Sequence, residues 1–360
     1  MRILLSGGGT GGHIYPAIAI ANYAAQQKKD TEILFVGCEN GMESRLVPKA
    51  GYAIKYIQIS GLKRRITFEN LKTAVRLVTA VAKAKKIIRA FQPDVVIGTG
   101  GYVCLPVLLA AIKMKIPTMV HEQNVFPGLT VRLVASKADA TAISFPETEK
   151  YFKKPPKQIL LTGNPIRPEL LEEKALEKSG EKLVLISGGS LGAAKLNDTL
   201  IALLQKPGQD YYSIIASTGE KNYEAVMRTI QKKNIRLCGN KKIVPYIYNM
   251  DEVMQKADLA VTRAGAITVS ELCALGKPAV LVPSPNVTND HQTYNARVME
   301  KYGAAVLITE EELDGDVLAD QIKTLLSSPE ALAKMAAAAK KAAITDACQR
   351  IYTWMETVTR

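Results

Sequence analysis

One of the chain's three histidines, His13, directly follows a glycine run, Gly7-Gly8-Gly9-Thr10-Gly11-Gly12. An imidazole, with an unperturbed pKa of ~6.5, suits proton acceptance near neutrality. A glycine turn that opens a helix brings backbone N–H groups close to an anion or a sugar. A second such turn, Gly188-Gly189-Ser190-Leu191-Gly192, lies about half a chain away. It offers a helix start near Gly192 and the Ser190 hydroxyl to a diphosphate. Glu271 falls in the first turns of a helix that follows Ala264-Gly265-Ala266. A carboxylate there can accept two hydrogen bonds from a ribose diol. The plainer alternative is an acid favoured by the helix dipole, worth ~0.3–1 kcal/mol. Gly7 to Gly12 also fit the dinucleotide pattern G-x-G-x-x-G, which needs an acid about 20 residues further on. Glu39 is the nearest and stands late, so an NAD-dependent oxidoreductase is the weaker reading.

These residues need strands to hold them. Ile3-Leu4-Leu5 precedes the first glycine turn and an apolar stretch, 14–25, follows it. Ile33–Gly37, Tyr52–Ile59, Asp94–Gly98 and Ile116–Val120 read as further strands, with a helix over 44–50. Strands separated by helices imply βαβ units and a parallel sheet. Ligands of such sheets bind beyond the carboxyl ends of the strands, where Gly7–His13, Gly100-Gly101-Tyr102 and His121-Glu122-Gln123-Asn124 all fall. Thr162–Glu169, with Pro165 and Pro168, reads as an inter-domain linker. Leu183–Ile186 then repeats the opening arrangement before the second glycine turn. Tyr211–Ser217, Ile243–Ile247, Ala257–Arg263 and Lys277–Pro283 extend the second half, and helices are expected over 331–343 and 346–360.

At 360 residues two domains are the better expectation. No apolar run reaches the ~20 residues of a membrane span, and Met1–Leu5 is too short a start for a signal peptide. Five scattered cysteines without C-x-x-C spacing suggest reduced thiols, not a disulfide frame or a zinc site. The net charge of +13 sits in the first half: residues 1–162 hold 23 Lys+Arg against 10 Asp+Glu, the remainder 24 of each. An anionic partner of that half is expected. Residues 61–91 carry nine basic residues (Lys63, Arg64, Arg65, Lys72, Arg76, Lys83, Lys85, Lys86, Arg89) and one acid, Glu69. Leu71, Val75, Val78, Ala82 and Lys85 recur at helical spacing as the expected packed stripe. The sharper reading is a surface for anionic lipid, with Ile66-Thr67-Phe68 at its start. Nucleic acid is disfavoured, because no aromatic residues interleave the charges.

The ordered set of segments resembles the MurG family. It comprises Gly8–His13, Gly100–Val103, His121–Asn124, Gly163–Arg167, Gly188–Ala193, Arg263–Glu271 and Asp290–Asn295. Members transfer N-acetylglucosamine from UDP-N-acetylglucosamine to the 4-hydroxyl of an undecaprenyl-pyrophosphoryl muramyl-pentapeptide in bacterial cell-wall synthesis. The resemblance implies the GT-B glycosyltransferase fold, an α/β architecture of two Rossmann-like domains facing a cleft. Residues 1–162 would form an acceptor- and membrane-facing domain, with 343–360 packing back on it, and 163–342 the UDP-sugar domain. Another nucleotide-sugar GT-B enzyme is the nearest alternative.

The resemblance also assigns roles. His13 would be the base of an inverting displacement. Glu271 would contact the ribose, the Ile247 backbone the uracil, and Gly189, Ser190 and the Ala266-Ile267-Thr268 backbone the diphosphate. Gln292 and Asn124 would meet the sugar, and Arg167 would support the nucleotide. Thr10, Gly11 and Gly12 would serve donor and acceptor, joined on the acceptor side by His13, Gly101 and Tyr102. His121 would orient its surroundings. No metal or other cofactor is expected: Asp314-Gly315-Asp316 formally matches D-x-D but reads as a solvated surface turn. The implied location is peripheral, on the cytoplasmic face of the cell membrane. Two positions depart from the family pattern: Thr293 replaces a frequent second glutamine, and Leu191 a frequent polar residue.

Overall fold

The computed structural model describes residues 1–59, 68–172, 180–189 and 192–359. The chain divides into two compact units, Met1–Ile166 with Ile344–Arg360, and Arg167–Ala343.

The N-terminal unit runs β1 (Arg2–Gly7), α1 (Gly11–Gln27), β2 (Glu32–Gly37), α2 (Glu43–Lys49), β3 (Ala53–Tyr56), α3 (Phe68–Phe91), β4 (Val95–Gly100), α4 (Cys104–Lys113), β5 (Thr118–Glu122), α5 (Leu129–Val134), β6 (Ala140–Ile143) and β7 (Ile159–Leu161). Its strands lie in the order β3-β2-β1-β4-β5-β6-β7, each pair parallel. The central aliphatic runs β1, β4 and β5 are buried on both faces, as a helix-covered parallel sheet requires, whereas the edge strand β3 is not. Every residue of β4 and β5 is buried. The order reverses between β1 and β4, which makes a switch point at their carboxyl ends.

The C-terminal unit repeats the plan with β8 (Lys182–Ser187), α6 (Ala194–Leu204), β9 (Tyr212–Ser217), α7 (Tyr223–Lys232), β10 (Lys241–Val244), α8 (Met250–Lys256), β11 (Leu259–Thr262), α9 (Ala266–Leu275), β12 (Ala279–Leu281), α10 (His291–Lys301), β13 (Ala305–Leu307), α11 (Gly315–Leu326) and α12 (Pro329–Ala342). Its parallel sheet has the order β10-β9-β8-β11-β12-β13, with the switch point between β8 and β11. The last helix, α13 (Ala347–Val358), packs in the N-terminal unit. Ile351, Trp354 and Met355 share a core with Ile3, Leu5, Ile14 and Ile20, and Trp354 Nε1 donates to Gln158 Oε1 at 3.1 Å.

Several expectations need correction. The packed stripe of α3 is Ala80, Ala84 and Ile88, whereas Val78 is 70% exposed and Ala82 is exposed. Alanines let α3 approach the buried face of α4 closely, and that packing outweighs the bulkier residues one face round. Residues 60–67 lie outside the described residues, as do the side chains of 68–75. Most of the basic cluster's first half therefore has no structural account. β3 covers only Ala53–Tyr56, and β10 stops at Val244, which leaves Ile247 in a loop. Strands β6 and β7 and helices α4 and α5 were not anticipated. The stretch read as a linker holds the boundary between the two units, after Ile166, but its first half is packed: Thr162 and Asn164 are buried, and a side chain on Gly163 would strike Ile344 at 2.6 Å. Asp314 and Asp316 are both exposed, in keeping with a solvated surface turn. Asp314 caps α11, accepting from the N–H groups of Asp316 and Val317, while Asp316 pairs with Lys206.

Candidate active site

At the N-terminal switch point the glycine turn fills the space between β1 and β4. Gly8 N–H donates to the Gly100 carbonyl at 3.3 Å, and Thr99 Oγ1 donates to the His13 carbonyl at 2.7 Å. Gly101 must lack a side chain, because a Cβ would sit 2.2 Å from the Gly8 oxygen. Its neighbour Tyr102 is partly exposed, with its ring 3.4 Å from where a Gly9 Cβ would stand. Burial, followed by Cys38 and Glu43, raises the Tyr102 phenol above its ordinary pKa. Thr10, Gly11, Gly12, His13, Gly101 and Tyr102 thus gather around one turn.

His13 Nδ1 lies 3.1 Å from the Gly8 carbonyl oxygen and 3.2 Å from Thr10 Oγ1. A carbonyl can only accept, so Nδ1 carries the proton. In the neutral ring Nε2 is then the basic nitrogen.

His121 is fully buried. Its Nε2 donates to the Gly163 carbonyl at 2.9 Å, and its Nδ1 accepts from Gln123 Nε2 at 2.9 Å. Burial pushes its pKa down to about 4, so it stays neutral and acts as a strut. Gln123 Nε2 also reaches the Thr99 carbonyl at 2.8 Å, joining the ends of β4 and β5. Asn124 is tied to buried Glu122, whose Oε1 accepts from the Asn124 amide N–H at 2.9 Å and from its Nδ2 at 3.2 Å. Burial raises the Glu122 pKa against those bonds.

Glu43 escaped the sequence reading. It is fully buried, and its carboxylate accepts from Gly9 N–H at 3.0 Å and Cys38 N–H at 2.9 Å. The signal available was an acid opening the helix after β2. Its partner lies 34 residues away, and only the sheet order reveals that pairing. Glu39, the acid that a dinucleotide would need, is exposed in the turn after β2.

The C-terminal unit holds the other candidates. The turn after β8 is braced by Ser217 Oγ donating to Ser187 Oγ at 2.9 Å. Gly189 N–H donates to Ser187 Oγ at 3.3 Å. Ser190 and Leu191 lie outside the described residues. Ala266, Ile267 and Thr268 form the first turn of α9. Asn295 Nδ2 holds the preceding loop by donating to the Ala264 carbonyl at 3.0 Å.

Glu271, on the same helix, is buried and accepts from Arg167 Nε at 3.0 Å. Burial raises its pKa, and the Arg167 charge and hydrogen bond oppose the rise. Ile247 is buried between exposed Tyr246 and Tyr248, whose rings meet edge-on at 5.0 Å. Gln292 Oε1 accepts from Ser284 N–H at 2.9 Å, leaving its Nε2 as a donor. Thr293 Oγ1 donates to Asp290 Oδ1 at 2.7 Å, so it steadies its own loop. His291 Nδ1 donates to the Thr288 carbonyl at 2.8 Å, and burial lowers its pKa.

Residues 3–143 match the glycosyltransferase family 28 N-terminal domain, and 183–351 the family 28 C-terminal domain. The chain is 47% identical, over the whole of both chains, to the UDP-N-acetylglucosamine--N-acetylmuramyl-(pentapeptide) pyrophosphoryl-undecaprenol N-acetylglucosamine transferase of Caldanaerobacter subterraneus subsp. tengcongensis. It is 48% identical to the enzyme of that name from Acetivibrio thermocellus, over 98% of this chain and 96% of the other. Among solved structures it is similar to Acinetobacter baumannii MurG, with a TM-score of 0.79, 30% identity and 99% of each chain covered. A UDP-GlcNAc 2-epimerase from Neisseria meningitidis bound to UDP-GlcNAc shares the fold, with a TM-score of 0.69 at 15% identity over 99% of this chain and all of the other. The resemblance read from the sequence is therefore borne out: the chain is a glycosyltransferase of GT-B fold and belongs to the MurG family.

Proposed function

We propose that the protein transfers N-acetylglucosamine from UDP-N-acetylglucosamine to the 4-hydroxyl of an undecaprenyl-pyrophosphoryl muramyl-pentapeptide, with inversion. The observation that carries this reading is full-length likeness to transferases named for these two substrates. His13 Nε2 takes the proton of the acceptor hydroxyl as its oxygen attacks the anomeric carbon. The bond from that carbon to the diphosphate oxygen breaks, and UDP leaves with the electron pair. A base and a charge-stabilising cradle are what such a displacement requires. The turn Gly188–Gly192, with Ser190, and the Ala266–Thr268 amides receive the diphosphate. Glu271 holds the ribose with the carboxylate oxygen not engaged by Arg167, and the Ile247 backbone meets uracil. Gln292 and Asn124 read the sugar. Thr10–Gly12, Gly101 and Tyr102 hold the acceptor.

The same reading places the enzyme on a membrane surface. Among the described residues no helix is long and apolar enough to cross a membrane. Helix α3 instead exposes Arg76, Lys83 and Lys86 beside Val78, a set that suits anionic headgroups. The deciding assay is UDP release from UDP-N-acetylglucosamine with and without the lipid-linked acceptor. Acceptor-dependent release is expected, and release indifferent to acceptor would overturn the assignment.

A further inference from the structure

The bonds from Glu43 and from His13 end on the same peptide group. Gly9 N–H donates to Glu43 Oε2 at 3.0 Å. The carbonyl of that peptide unit, Gly8 C=O, accepts from His13 Nδ1 at 3.1 Å. The order is therefore carboxylate, peptide N–H, peptide C=O, imidazole N–H. Hydrogen bonds in such a chain polarise one another. A carboxylate on the N–H side makes the carbonyl oxygen a stronger acceptor for the proton on Nδ1.

The surroundings hold the chain rigid. Glu43 is fully buried and its other oxygen is anchored on Cys38 N–H at 2.9 Å. Its carboxylate occupies space that only glycines leave: a Cβ on Gly8 would come within 2.5 Å of it, and one on Gly41 within 2.3 Å. On the far side, Gly101 closes over the Gly8 peptide.

We infer that Glu43 is a positioning residue for His13, acting through the Gly8–Gly9 peptide to hold the imidazole in its Nδ1–H tautomer with Nε2 as the basic nitrogen. The inference deepens the proposal that His13 is the base and rests on it. A partner on one ring nitrogen decides which tautomer the other presents. A hydrogen-bonded carboxylate behind an imidazole does this directly in hydrolytic triads, and here a peptide group stands between them. Glu43→Gln cannot substitute. Both carboxylate oxygens face N–H donors, so the side-chain amide must turn its own NH2 toward one of them.

The test uses the full chain labelled with 15N-histidine, in which three histidines give a readable spectrum and His13→Ala supplies the assignment. Wild-type His13 should show the Nδ1–H tautomer, and Glu43→Gln should populate the Nε2–H form. In turnover, Glu43→Gln should lower kcat about tenfold to a hundredfold, as loss of an outer-shell partner does, with KM for UDP-N-acetylglucosamine unchanged. Added to His13→Ala it should cost no further rate. An Nε2–H tautomer in the wild type, an unchanged spectrum in Glu43→Gln, or an equal rate loss in both backgrounds would overturn the inference. Failure of the base assignment reads differently: His13→Ala would then turn over like the wild type, whatever the spectra show.

Discussion

The backbone of Gly100 lies against the imidazole of His13. A Cβ on Gly100 would stand 2.7 Å from His13 Cδ2 and 3.0 Å from Nε2, and its φ of +107° is one that side chains rarely adopt. Gly100→Ala should therefore displace the ring and strain the turn together. A loss of roughly 1–3 kcal/mol is expected from the backbone alone, with turnover falling further than stability accounts for. Thermal unfolding and UDP release on the same variant check both.

His13→Ala tests the base directly. General base catalysis typically contributes about 10²–10⁴-fold, so kcat should fall within that range while KM for the donor holds. Wild-type turnover with the lipid acceptor would end the assignment.

Arg167 and Glu271 form a pair in which one member is buried and the other half-exposed. Glu271→Gln should weaken UDP binding by removing the ribose acceptor, read by calorimetry; unchanged affinity would refute that role. Arg167→Ala leaves the carboxylate buried without its cation, costing about 1–3 kcal/mol of stability. Burial then raises the Glu271 pKa unopposed, so UDP binding in that variant should fade at a higher pH than in the wild type.

His121 makes stability depend on pH. Its pKa drops from 6.5 to about 4 in the folded chain because burial disfavours the cation. Between those values the unfolded chain binds the proton and the folded one does not, so stability falls as pH falls. The stability is fully present above pH ~6.5, and roughly 3 kcal/mol of it should be lost by pH ~4. Urea unfolding at pH 7 and pH 4.5 should show a flatter dependence in His121→Gln. The same slope in both proteins would deny the linkage.

The exposed cations of α3 should draw the protein to anionic membranes. Replacing Arg76, Lys83 and Lys86 with glutamine removes three charges at ~1 kcal/mol each, a loss near 100-fold in binding to phosphatidylglycerol vesicles. Binding to neutral vesicles should not change. Equal binding of the variant and the wild type to anionic vesicles would place the contact elsewhere.

Local chemistry made much of this protein legible. Glycine turns after aliphatic runs, strands alternating with helices, and the repeat of that pattern from Leu183 onward are short-range signals. They marked both glycine turns at strand ends and the family. The tertiary structure decided what depends on distant partners. Glu43 meets Gly9 across 34 residues because β1 and β2 are neighbours, and Arg167 meets Glu271 across 104. The packed face of α3 is set by the small residues that α4 admits, which a hydrophobic period cannot rank. Thr162 and Asn164 are buried, and Ile344, near the end of the chain, packs on Gly163 between them, which two nearby prolines do not foretell. Spacing along the chain fixes which groups are present. The sheet order fixes which of them meet.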